Sequence, residues 1–258
     1  MPAPIPHSVN HSVNARLDEL YSKTGWLNRI DAWELQQLQR DLERLAATDV
    51  VAADRAKISL ATLTGDDEVV EARLRNLVAN GAQGVARADR LRFLSNRMRA
   101  IEALPLAEEA VKNPLPLDTH EVVTLMHTIG AFRSAAACIE EANRRSIVTS
   151  GTKSVALAPQ IAEAMDRLGV ADSQVAQALN VLGHCLSERG MIWLGRGPDI
   201  WVSPEADSPS ILIQYELQID ADGAAQVLWD LTERLAQQEL LLPGIAIGLV
   251  GSELPVAA

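Results

Sequence analysis

From Ile213 onward, the stretch Ile211-Leu212-Ile213-Gln214-Tyr215-Glu216-Leu217-Gln218-Ile219 alternates strictly between apolar and polar residues. Ile213, Tyr215, Leu217 and Ile219 fall on one side, and Gln214, Glu216 and Gln218 on the other. A period of two is that of a β-strand with one buried face. The stretch therefore predicts a sheet that is open to water on its second face. The first 148 residues have a different texture, helical almost throughout. The fold class that follows is α+β. An all-α array of helical hairpins (15–148) precedes a small α+β domain (149–258) with a mostly antiparallel sheet.

Working outward from the strand, Asp222 opens a helix with Val227, Leu228, Leu231 and Leu235 inward. After Pro243-Gly244, the apolar run 245–250 reads as a buried strand, and strand–helix–strand in one sheet implies a right-handed crossover. Upstream, Met191–Leu194 and Ile200–Ser203 flank Gly195-Arg196-Gly197-Pro198, a hairpin signal. Two helices precede it. One has Pro159 at an N1-like position and Gly169 as its C-cap. In the other, Asp172 caps a helix carrying Val175, Leu179, Leu182 and Leu186. Residues 147–152, rich in β-branched side chains, suit a linker or a first strand.

In the first half, Leu35, Leu38, Leu42 and Leu45 place one stripe on a helix over 31–46, which Asn28 can cap. Further helices read over 50–63, 66–79, 87–99 and 101–112. Asp118 and Glu121 make a capping-box-like start for the next, and Phe132, Ala135, Ala136 and Ile139 mark the last. Three hairpins superpose with turns near Gly65, Arg99 and Gly130, about 34 and then 31 residues apart, the length of a tetratricopeptide unit. Thr64-Gly65-Asp66-Asp67-Glu68-Val69-Val70-Glu71-Ala72 and Ile129-Gly130-Ala131-Phe132-Arg133-Ser134-Ala135 resemble the turn and second helix of that repeat. The resemblance spans roughly 49–146 and lacks the repeat's first-helix Trp-Leu-Gly-Tyr pattern. It implies stacked hairpins with a protein-binding groove; an irregular helical bundle is the alternative.

The chain has 258 residues, 48% hydrophobic and 22% charged, with a net charge of −11. No apolar run approaches the ~18 residues of a membrane span. Residues 1–14, with the tandem His7–Asn10 and His11–Asn14, lack the apolar core of a secretory signal and read as a disordered leader. Cys138 and Cys185 lie in different halves, so no disulfide framework is expected and a cytoplasmic setting is. Residues 1–150 hold 18 Lys and Arg against 20 Asp and Glu, and residues 151–258 hold 5 against 14. An acidic second half repels phosphates, so nucleic acid is not expected as a partner.

No catalytic, cofactor or metal signature is found. Gly151-Thr152-Lys153-Ser154 lacks the glycines of a phosphate loop, and Asp220-Ala221-Asp222-Gly223 lacks the remaining ligands of a calcium loop. His120 and His127 share a helix face without a carboxylate or thiolate in register. His184 and Cys185 diverge by about 100° on a helix. Both thiols fall on apolar faces and read as inert. Trp193, Trp201 and Trp229 read as core, with an exposed anchor as the alternative. The one dense basic cluster is Arg87, Arg90, Arg92, Arg97 and Arg99, which suits either pairing with acidic neighbours or docking of an acidic partner. The expected function is a non-enzymatic protein-interaction module: an adaptor, chaperone or inhibitor. The alternatives are a transcriptional regulator with a winged-helix-like element over 155–203, and an enzyme of unfamiliar type with a site between the halves.

Overall fold

The computed structural model describes residues 6–23, 25–147, 152–193, 197–203 and 209–252. Eight helices come first: α1 (Pro6–Lys23), α2 (Ala32–Ala46), α3 (Val50–Thr64), α4 (Asp67–Ala79), α5 (Gln83–Asn96), α6 (Ala100–Lys112), α7 (Thr119–Thr128) and α8 (Phe132–Arg144). Then follow α9 (Lys153–Leu168), α10 (Asp172–Glu188), β1 (Asp199–Ser203), β2 (Ser210–Leu217), α11 (Ala221–Gln237) and β3 (Ile245–Gly251). The molecule is α+β, a helical array ending in a three-stranded sheet.

Aspartates start many of the helices. Asp31, Asp49, Asp66, Asp118 and Asp220 each accept a hydrogen bond from an amide of the first turn, satisfying donors the helix leaves over. For α2 the cap is Asp31 rather than the expected Asn28, which sits earlier in the turn at φ 57°. Pro159 lies inside α9, not at its start: the helix begins six residues earlier behind the extended Thr152, and Val155 and Ala158 are already buried. Residues 6–14, expected as a disordered leader, form the first half of α1. What holds them is burial, since Val13, Leu17 and Leu20 pack on Leu38, Leu42 and Leu45 of α2.

The three expected hairpins form as α3–α4, α5–α6 and α7–α8, turning at Gly65, at 97–99 and at Gly130. The odd-numbered helices touch in sequence, α1 on α3, α3 on α5, α5 on α7 and α7 on α9, and so form one layer. α10 leaves the stack and packs on α6, α8 and α11.

The sheet runs in the order β1-β2-β3, antiparallel between β1 and β2 and parallel between β2 and β3. One ladder of each kind stands where a mostly antiparallel sheet was expected. The expected hairpin of 191–194 with 200–203 does not form among the described residues, because Met191–Trp193 are committed elsewhere. Met191 bridges Trp26, the Ile192 amide donates to the Gly25 carbonyl at 2.9 Å, and the Trp193 amide donates to that of Asn96 at 2.9 Å. The hairpin tip, Gly195 and Arg196, lies outside the described residues, as do Val148–Gly151 of the expected linker. β1 pairs with β2 instead. Ile211, Ile213, Tyr215 and Leu217 face the helices. Tyr215 meets Trp193 edge-on at 5.0 Å and donates its hydroxyl to the Thr128 carbonyl at 3.0 Å.

One apolar core runs from Ile58 to Leu249 without a break at residue 148, so the two halves read from the sequence share their interior. A second, smaller core joins α1, α2 and α3 and takes one residue, Ile192, from the other half.

Candidate functional site

The odd-helix layer carries a cleft of about 460 Å³, lined from four successive members of the layer. α1 contributes Asn10, Asn14, Asp18 and Tyr21; α3 contributes Arg55, Ser59 and Thr62; α5 contributes Asp89, Arg92 and Asn96; α7 contributes Glu121. On each of the first three helices these residues recur at spacings of three and four, which aligns them on one face.

An ion-pair chain crosses the floor. Asp89 is 5% exposed. Its two carboxylate oxygens accept from Arg55 Nε at 3.0 Å and Nη2 at 3.4 Å, and Arg92 Nη1 reaches it at 2.6 Å. Arg92 Nε donates to Glu121 at 2.6 Å. Burial opposes the Arg92 charge, but Glu121 and Asp89 outweigh it, and its pKa stands above the ordinary arginine value. Tyr21 closes one wall, donating to the Ser59 carbonyl at 2.9 Å, and burial raises its phenol pKa well above the usual range. Arg55 and Asp89 are 34 residues apart. Equivalent faces of consecutive hairpins thus meet across the stack.

The arginine cluster divides, and every member is paired within the helical half. Arg92 belongs to the cleft floor. Arg87 meets Glu109 at 2.6 Å and Arg90 meets Glu71 at 2.9 Å. Arg97 and Arg99 share Asp67 at 3.5 and 3.3 Å, and Arg99 also takes Glu102 at 2.7 Å. None of these pairs reaches the acidic second half.

The remaining candidates do not converge. His120 Nδ1 contacts the Thr152 hydroxyl at 3.0 Å, His184 contacts Asn180, and His127 is buried with Nε2 unpartnered. Among the described residues, no group of three or more His, Cys, Asp or Glu is placed to hold a metal. Cys185 is fully buried and Cys138 half-buried; burial pushes both thiols up, Cys138 to about 11. Lys153 of the phosphate-loop-like stretch lies over Trp201, 5.2 Å from the ring centroid, and pairs with Asp199 at 3.4 Å. Asp220 of the calcium-loop-like stretch caps α11. Trp193 is buried, whereas Trp201 and Trp229 are exposed. α10, the would-be recognition helix, is buried on most of its circumference and is not free to enter a groove.

The sequence reading missed Asn10, Asn14, Asp18, Tyr21, Arg55 and Asp89. The signal was present: polar residues at Asn14/Asp18/Tyr21, Arg55/Ser59/Thr62 and Asp89/Arg92/Asn96 repeat the spacing of four and seven, or three and seven, on alternate helices.

No family model, no curated protein and no solved structure matches the chain. Among the described residues, no helix is long and apolar enough to cross a membrane.

Proposed function

We propose that this chain is a protein-interaction module, acting as an adaptor, chaperone or inhibitor, that holds a segment of a partner protein in the cleft of its odd-helix layer. One observation carries the reading: a single polar face is built from four successive helices of a stack. Stacked hairpins create extended surfaces of this kind, and amide and hydroxyl side chains can meet the backbone groups of a bound segment. The arginines outside the cleft are engaged with acidic neighbours, which moves the expected contact surface from the whole cluster to Arg92 and its surroundings.

A photo-crosslinking residue placed at Ala52, on the cleft wall, tests the proposal against one placed at exposed Thr232 on α11. A discrete protein adduct in cell extract from position 52 alone, lost when Ser59→Trp fills the cleft, supports it. The same adducts from both positions would overturn it.

A further inference from the structure

Resting on that reading of the cleft, we propose that the bound segment presents cationic side chains, arginine or lysine, one to Asp18 and one to the free oxygen of Glu121. The argument is which charges are already spent. Both oxygens of Asp89 are engaged by Arg55 and Arg92, and its side chain is 7% exposed, so it is closed to a ligand. Glu121 gives Oε1 to Arg92 and keeps Oε2, on a side chain 35% exposed. Asp18, exposed on α1, forms no hydrogen bond or ion pair among the described residues.

The cleft therefore sets two cations against three anions, and its uncommitted charge is negative. An anionic ligand would compete with Asp89 for its guanidiniums. Drawing them away leaves a buried carboxylate uncompensated, which is strongly destabilising. A cation displaces nothing, and the net charge of −11 favours its approach. Asn10, Asn14 and Asn96 offer donors and acceptors alike and do not alter this balance.

Fluorescein-labelled hexa-lysine and hexa-glutamate, titrated into the full chain by fluorescence anisotropy, test the assignment. Hexa-lysine is expected to bind, and hexa-glutamate not. Asp18→Asn with Glu121→Gln should weaken hexa-lysine roughly tenfold, the sum of two partly exposed ionic contacts. Asp18→Asn alone, at an exposed position, should give part of that loss with unchanged melting. Asp222→Asn with Glu233→Gln removes the same charge from α11 and should leave binding unchanged. Equal losses in the two double variants, or a preference for hexa-glutamate, would overturn the proposal. Ser59→Trp separates the two readings. If it blocks bound hexa-glutamate, the cleft stands and the cation preference falls; if it leaves either peptide's binding intact, both fall.

Discussion

The N-terminus of α8 is capped from 39 positions downstream. Ala131, at its N-cap, has no side-chain acceptor, and the Asp172 carboxylate accepts instead from the amides of Arg133 at 3.1 Å and Ser134 at 3.2 Å. The sequence suggested only that Asp172 caps its own helix; no local pattern marks a cap lent by another. Asp172→Ala should cost about 1–3 kcal/mol by leaving buried amides unpaired, measured as a lower urea midpoint. His127 gives a pH dependence. Burial holds its imidazole pKa down at about 4, from an ordinary 6.5. The unfolded chain takes up this proton at higher pH than the folded one, so acid favours unfolding. The contribution is full above pH 6.5 and falls as pH drops towards about 4, by up to ~1.4 kcal/mol per unit. Chemical denaturation across that window should show a shallower loss in His127→Leu; an unchanged slope would exclude His127 as its source.

At the scale of elements, α10 crosses the turn between α5 and α6 in close contact. A Cβ built at Gly183 would lie 2.3 Å from the Met98 carbonyl oxygen, and Met98 is itself buried at φ 51°. Backbone on one side and a packed turn on the other leave no room to yield. Gly183→Ala should lower stability by about 2–3 kcal/mol through overpacking, read from thermal melting; a neutral effect would mean that the crossing relaxes. The helices themselves were legible, because apolar spacing agrees with glycine stops at Gly65, Gly81 and Gly130 and, after Gly65, with the Asp66 cap. The strand of 210–217 was legible by its alternation. The pairing of 200–203 was not: Met191–Trp193, expected opposite it, are as apolar as a strand should be, yet Gly25 and Asn96, far away in sequence, take two of their amides. The cleft was half legible, its polar stripes visible on single helices while their convergence depends on how the hairpins stack.

At the scale of the molecule, helices continue past residue 148 through α9 and α10 before the first strand, and the shared core runs across that point. α7 and α8 pack on α9, and α6 packs on α10. Separate fragments 1–148 and 149–258 should therefore lack a cooperative melt, while far-ultraviolet circular dichroism and tryptophan fluorescence of the intact chain should report a shared transition. An independently folding 149–258 would contradict this. The small core of α1, α2 and α3 is the one part that stands aside, and it is closed by Ile192. That residue leaves the ribosome 129 positions after Leu63, roughly 6–25 s later at ordinary rates of synthesis. Throughout that interval the first three helices exist outside the tunnel with their last apolar contact still unmade. The last core residue of the first three helices thus arrives only after a further 129 residues have been made, a delay that is felt by the nascent chain and not by the finished one.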